Sequence, residues 1–383
     1  MIDLATLLSI LGLLAWCYLA LFHGHFWKVV LPAPSPQPTA WPSVDIIVPA
    51  RNEALSLPQT LPSLLKQDYP GLWRVILVDD HSEDGTSAIA QQCAADTKAQ
   101  DKLIILAAPD LAQGWSGKVA AMNTATTQSD ADYILFTDAD IAHTTSSLRE
   151  LVARAQDKKH ALTSLMVKLN CTSFAEKLLV PAFVYFFAML YPFAKANNPT
   201  SKVAAAAGGV MLVQSKALKN IGGLQKIKSA LIDDCSLARA IKDFGGDDGT
   251  PASIELTHTN TVKSLRIYPE IKDIWRMVAR TAFTQLQMSP ILLIGTVLGM
   301  SILFLLPILF ILSGTLLVTV TSFITCMIMI GLYVPMIRFY NLPLTWALTL
   351  PIAALIYIGA TIDSARLYWQ GKGGQWKGRA QAS

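Results

Sequence analysis

The placement of apolar residues limits this chain more than any other feature. Four long apolar blocks, at residues 4–22, 290–312, 316–336 and 344–362, frame a polar middle. Each block is long enough to cross roughly 30 Å of hydrocarbon as a helix. Only 15% of the 383 residues are charged, against roughly 25% in soluble domains, and the apolar excess collects in those blocks. The first block has no basic residue before it and is long for the apolar core of a signal peptide, so it is expected to be an uncleaved anchor. The chain is therefore expected to comprise an anchor at 1–27, a Pro-rich linker at 28–43 and a polar domain at 44–288. Three C-terminal transmembrane helices at 289–363 and a basic tail at 364–383 follow. Basic residues favour a cytoplasmic polar domain. Four spans then place both termini outside, which conflicts with the basic tail (Arg366, Lys372, Lys377, Arg379).

Inside the polar domain, residues 178–193 read LLVPAFVYFFAMLYPF, without a charge. A full span here would put the segments before and after it on opposite sides of the bilayer. An interfacial or re-entrant helix keeps them together, with Tyr185 and Tyr191 near headgroup depth; a buried core helix is the alternative. The net charge of +4 comes without a Lys/Arg run, which speaks against a nucleic-acid partner. Five cysteines, odd in number and without a CxxC pair, argue against a disulfide framework or a zinc site.

Short apolar runs at 44–48, 74–78, 103–106 and 133–136 alternate with helix-like stretches at 55–67 and 86–95. This pattern predicts an α/β domain with a mostly parallel sheet covered on both faces. Ligands bind such sheets outside the carboxyl ends of the strands. Acids follow three strand ends here: Glu53, then Asp79 and Asp80, then Asp138 and Asp140.

In an extended segment Asp138 and Asp140 would share a face. Two such carboxylates suit Mg²⁺ or Mn²⁺ completed by water and substrate phosphates. His143 is either a third ligand or a structural residue. The sequence GWSGK places Lys118 after a Gly-containing loop, to meet a diphosphate or simply solvent. Asp233 and Asp234, in LIDDCSL, supply either a proton acceptor or a helix N-cap. The run AAAAGG at 204–209 permits close backbone approach. Arg280, just before the membrane blocks, suits phosphates or anionic lipid heads.

The motifs VDIIVPARNE, LVDDHSEDGT, GWSGKVAAMN, FTDADIAH and LIDDCSL, in this order, resemble the inverting family 2 glycosyltransferases of the GT-A fold over about residues 44–286. More narrowly, SLMVKL, LLVPAFVYFFAMLYPF, AAAAGGVML, ALIDDCSLA and IWRMVARTAFTQL resemble the hopene-associated glycosyltransferases found with bacterial hopanoid biosynthesis genes. The resemblance implies a GT-A nucleotide-diphospho-sugar transferase domain on transmembrane helices. It implies a nucleotide-sugar donor, UDP-linked, and a membrane lipid acceptor of hopanoid type. Pro49, Arg51, Glu53, Asp79 and Asp80 would line the donor pocket with Lys118 and Asp138. Asp138 and Asp140 would hold Mg²⁺ or Mn²⁺, Asp234 would be the catalytic base, and Arg280 would assist the leaving phosphates.

One departure stands out. Many relatives carry Gln or Arg, two residues, then Arg-Trp. Here Met277, Val278, Ala279, Arg280 and Thr281 keep only the arginine, and Trp275 or Phe283 would have to replace the aromatic platform. The expected setting is a bacterial inner membrane with the catalytic domain in the cytoplasm. A processive polysaccharide synthase is the alternative enzyme, and a transporter or non-catalytic scaffold the alternative of another class.

Overall fold

A computed structural model describes residues 3–373, 375, 376, 379 and 380. The first two residues of the expected anchor, and Lys377 of the expected basic tail, lie outside the described residues. The chain forms two compact units. One holds Val30–Asn170 and Lys195–Ile267; the other holds Cys171–Ala194, Tyr268–Gly374 and the N-terminal residues up to Val29.

The first unit is built on one sheet of eight strands: β1 (Val44–Ala50), β2 (Trp73–Asp79), β3 (Leu103–Ala107), β4 (Tyr133–Thr137), β5 (Ile141–Ala142), β6 (Leu162–Lys168), β7 (Val210–Gln214) and β8 (Ile254–Ser264). Their order is β3-β2-β1-β4-β7-β6-β8-β5. The β3-β2-β1-β4 half is parallel, as the strand–helix alternation predicts. The other half is mixed. β7 runs antiparallel to both β4 and β6, β8 runs parallel to β6, and β5 runs antiparallel to β8. The expectation of a mostly parallel sheet holds for the four predicted strands, and the antiparallel β7 and β5 make the whole sheet mixed. Buried apolar runs mark strands, but their direction depends on connections that periodicity does not encode.

The sequence of β1 shows why the sheet has two cores. Val44, Ile46, Val48 and Ala50 point to one face, against the helices Leu57–Leu65, Thr86–Asp96 and Ser147–Lys158. Ile47 points to the other, against Gly117–Thr126, Ser215–Asn220 and Asp233–Phe244. Alternate residues of a strand face opposite ways. Each fully buried Val or Ile contributes about 1.5–3 kcal/mol, so β1 is anchored from both sides. Its one acid, Asp45, accepts from Arg74 Nε at 2.8 Å and Nη2 at 3.0 Å.

The second unit is helical. Among the described residues, five helices are long and apolar enough to cross a membrane: Leu4–Leu21, Phe174–Ala196, Pro290–Phe310, Leu316–Phe339 and Leu344–Trp369. Four are the predicted blocks, and the fifth contains the uncharged segment at 178–193. Leu4, Leu14, Ile291, Leu309 and Leu316 are exposed on these helices. Lipid-facing helices present such side chains, and monomeric soluble proteins rarely do so in continuous patches. Two polar side chains inside the bundle donate to backbone carbonyls of other helices. The Trp16 indole donates to Leu303 O at 2.9 Å and the Tyr357 hydroxyl to Leu179 O at 2.9 Å. Phe174–Leu190 opens with a reciprocal cap between Ser173 and Glu176. Trp275 donates to Asp363 Oδ2 at 2.9 Å, its ring lying over Gly359, where a side chain would collide. Phe283 is buried against Tyr368 and Trp369, so it does not offer an open aromatic platform.

Candidate active site

The parallel half of the sheet delivers the predicted residues to its carboxyl edge. Pro49 is buried within β1. Just past it, Arg51 Nη1 donates to Asp80 O at 2.6 Å and lies 3.7 Å from Asp80 Oδ2. His81 Nδ1 lies 3.2 Å from the other Asp80 oxygen. The loops after β1 and β2 are laced together: Asn52 Oδ1 accepts from Glu83 N at 2.9 Å, and Thr86 Oγ1 accepts from Glu53 N at 2.9 Å. The Glu53 carboxylate accepts from Ser56 Oγ at 3.0 Å. Asp79 accepts from Ser82 N at 2.9 Å and also from the Ser87 hydroxyl. Its two oxygens thus shape the loop that starts the helix Thr86–Asp96.

Asp138 follows β4 directly. Residues 138–140 form a turn closed by Ile141 N donating to Asp138 O at 3.2 Å. The expected extended geometry, with both acids on one face, is corrected accordingly. Thr60 Oγ1 donates to Ala139 O at 2.7 Å and fixes the turn from the side. Asp140 Oδ2 lies 4.0 Å from Arg266 Nη1.

The second acidic motif meets the first through Lys118. Lys118 begins the helix Gly117–Thr126, and its Nζ lies 2.9 Å from Asp138 Oδ1 and 3.2 Å from Asp233 Oδ2. Burial alone would lower this ammonium, but the charges of Asp138 and Asp233 outweigh it and hold the group above the usual lysine range. Asp234 Oδ2 accepts the Gly208 N–H at 2.9 Å, and Oδ1 accepts the Cys235 N–H at 2.7 Å. Burial and the neighbouring charge of Asp233 push Asp234 up to about 6, against the opposing pull of Lys118 and these N–H groups. A side chain at Gly208 would meet Lys118 Nζ at 3.2 Å and Asp234 Oδ2 at 3.3 Å. The small-residue run thus lets the backbone approach both groups.

Lys118, Asp138 and Asp234 are therefore brought together, with Asp80, Arg51, Glu53 and Asp79 grouped at the β1 and β2 ends. Arg280 belongs to the helical unit, exposed at the end of Ile271–Ala279. Sequence reasoning passed over Arg266, and it named Asp233 and Gly208 only within their motifs, without the contact each makes to the Lys118 and Asp234 groups. Asp233 had a signal, as the first acid of its pair, whereas Arg266 had none.

A divalent cation fits this chemistry. Asp138, Asp140, Asp233 and Asp234 set four carboxylates against Lys118 and Arg266, a surplus of negative charge. Among the described residues no group of three or more His, Cys, Asp or Glu side chains encloses a metal position. Two carboxylates are the donor set of a hard cation that substrate phosphates complete. His143 does not join it: its Nε2 lies 3.1 Å from Thr137 Oγ1 and its Nδ1 3.1 Å from Ser147 Oγ. Burial pushes its pKa down to about 4.

An α/β sheet with acids at its carboxyl edge, arranged in this strand order, defines a nucleotide-diphospho-sugar transferase fold of GT-A type. Residues 45–222 match the family model of glycosyl transferase family 2. An N-acetylglucosaminyltransferase of Rhizobium leguminosarum bv. trifolii is 30% identical over 154 residues, covering 39% of this chain and 81% of that protein. An N-acetylglucosaminyltransferase of Rhizobium sp. (strain N33) is 30% identical over 166 residues, covering 40% of this chain and 35% of that protein. The chain thus spans most of the first relative and about a third of the length of the longer ones. The mannosyltransferase PcManGT of Pyrobaculum calidifontis, solved with GDP-Man and Mn²⁺, shares the fold at a TM-score of 0.58 and 18% identity, covering 92% of this chain and 99% of that one. The chain belongs to glycosyl transferase family 2 and is a glycosyltransferase.

Proposed function

We propose that this glycosyltransferase moves a sugar from a UDP-linked donor to a membrane lipid, with inversion at the anomeric carbon. The observation that carries the reading is the ion-paired cluster of Lys118, Asp138 and Asp233, with Asp234 beside it on the Gly208 N–H. It sets a candidate diphosphate site next to a candidate base. In this reading Arg51, Glu53, Asp79 and Asp80, with Pro49 beneath them, line the donor pocket. Asp138 and Asp140 would hold Mg²⁺ or Mn²⁺, whose charge when bound offsets that of the diphosphate. Asp234 accepts the proton of the acceptor hydroxyl. The hydroxyl oxygen bonds to the anomeric carbon as the bond from that carbon to the diphosphate breaks, and the nucleoside diphosphate leaves. Lys118 and Arg280 stabilise the charge that develops on it.

The domain at 44–288 faces the cytoplasm of a bacterial inner membrane in this proposal, held by the anchor at 1–27 and the helices at 289–363. The segment at 178–193 lies in the interface and presents the lipid. Its flanking strands support this, because β6 and β7 pair directly, Leu162 opposite Val213. The chain that leaves one must return to the other on the same side. A hopanoid is the first candidate acceptor, on the strength of the sequence resemblance.

The test incubates the full-length protein with a panel of nucleotide sugars and native lipid extract, read by mass spectrometry. A singly glycosylated lipid is expected. Polymer as the only product, or no sugar transfer to any lipid, would refute the acceptor assignment. Asp234→Asn should abolish transfer, and near-wild-type transfer by that variant would refute the base assignment.

A further inference from the structure

A buried chain of hydrogen bonds joins the two acidic motifs. Its first members lie under the turn at 138–140. Gln67 Nε2 donates to Thr144 O at 2.8 Å, and its Oε1 accepts Leu148 N at 2.9 Å. Ser147 Oγ lies 3.1 Å from His143 Nδ1, and His143 Nε2 lies 3.1 Å from Thr137 Oγ1. The Thr137 hydroxyl donates to Gly209 O at 2.8 Å. Gly209 follows Gly208, whose N–H holds Asp234. Thr137, His143 and Ser147 are all buried.

Proton counting at Thr137 sets the tautomer of His143. A hydroxyl carries a single proton, and that of Thr137 goes to Gly209 O. The ring nitrogen facing Thr137 must then be the donor, so neutral His143 carries its proton on Nε2. Its Nδ1 is then an acceptor, and the single Ser147 proton faces both that nitrogen at 3.1 Å and Gln67 Oε1 at 3.2 Å. Thr137 is also the last residue of β4 in register with β7, opposite Val210. The side-chain bond therefore extends the strand pairing by one residue, to the point where the 204–209 run leaves the sheet.

We infer that His143, held as the Nε2–H tautomer, is a positioning residue that acts through Thr137 to tie the Asp138–Asp140 turn to the Gly208–Gly209 backbone and so set the Asp234 carboxylate against the donor site. The inference rests on the assignment of Asp234 as the base. It gives the buried polar chain a catalytic consequence that packing alone does not require. A rigid link between the motif that holds the donor and the backbone that holds the base keeps their separation constant, and small misplacements of reacting groups are costly in rate.

The test uses the full-length protein in nanodiscs and the nucleotide sugar that the wild type turns over fastest in the panel above. Thr137→Val keeps the shape of the side chain and removes the link. It should lower kcat by on the order of 10–100-fold while the donor KM stays within about twofold. Thr137→Ser restores the hydroxyl and should return kcat to within about threefold of wild type. Asp234→Asn, run alongside, separates the two ideas. If it is inactive while Thr137→Val keeps wild-type kcat, the positioning role is overturned and the base assignment stands. If it is active, the base assignment falls and this inference with it. Independently of donor choice, the ¹⁵N spectrum of histidine-labelled protein, with the signal assigned through His143→Gln, should show an Nε2–H tautomer. An Nδ1–H tautomer would overturn the proposed direction of the Thr137–His143 bond.

Discussion

The Lys118 ammonium stands 2.9 Å from the Asp138 carboxylate, on a residue drawn from a different strand–helix connection. The same nitrogen reaches Asp233 at 3.2 Å. One cation thus joins the acid that follows β4 to the acid that begins the helix Asp233–Phe244. Removing it should affect both sides. Lys118→Met is expected to weaken binding of UDP with Mn²⁺ by about 10–100-fold, the worth of a charge-assisted hydrogen bond of about 1.5–3 kcal/mol. Calorimetry measures this, and unchanged affinity would show that Lys118 does not meet the diphosphate.

Asp234 sets a pH dependence. Its pKa in the folded chain is pushed up to about 6, by burial first and by Asp233 second. A base must be ionised to accept a proton, so kcat/KM should fall about tenfold per unit as pH drops below about 6. In Lys118→Met the cation that lowers this pKa is gone, and the acid limb should move to higher pH. A limb that stays in place in that variant would separate Asp234 from the observed titration.

Stability carries the opposite sign. A carboxyl whose folded pKa exceeds its unfolded value of 3.8 binds more protons when folded between those two values. Its relative benefit to folding is complete below about 4 and is lost as pH rises through about 6, so ionised Asp234 weakens the fold at neutral pH. Asp234→Asn should therefore unfold at an equal or higher temperature than wild type at pH 8, with a gain of up to about 3 kcal/mol, while transfer falls by about 10²–10⁴-fold. A large loss of stability in this variant would contradict the account of the site as strained by a buried charge.

Lys242 provides a prediction about the scaffold. It lies on the same helix as Asp234, is 4% exposed, and donates to Ala196 O, Asn198 O and Val203 O at 2.7, 2.9 and 2.6 Å. These carbonyls belong to the segment that leads into the 204–209 run. Lys242→Met fills the space but leaves them without their donor, which should destabilise the domain by about 2–4 kcal/mol. Thermal unfolding measures the loss, and proteolysis should cut first within 196–203.

Membrane sidedness can be read directly. Lys158→Cys and Ser201→Cys flank the segment at 178–193, and an impermeant maleimide should label both from the same face of sealed vesicles. Labelling from opposite faces would show that Phe174–Ala196 crosses the membrane.

The sequence by itself determined the parts that depend on local pattern. The four apolar blocks became helices long and apolar enough to cross a membrane, as runs of about twenty apolar residues predict. The apolar runs at 44–48, 74–78, 103–106 and 133–136 became strands, and the acids after them stood at the sheet's carboxyl edge, because a parallel strand must end where its crossover begins. Asp138 was legible for the same reason, whereas Lys118 and Asp234 stood out through a Gly-containing loop, an acidic pair and the family resemblance. Only the tertiary structure decided how they combine. Spacing along the chain does not report that β7 turns antiparallel beside β4, yet this pairing brings Gly208 to Asp234 and Gly209 to Thr137. Nor does it report that Asp79 shapes its own loop, that Asp138 and Asp140 sit in a turn, or that both nitrogens of His143 have partners. Those outcomes depend on side-chain direction and on contacts between residues up to a hundred or more positions apart, which the order of strands in the sheet sets and a reading along the chain does not.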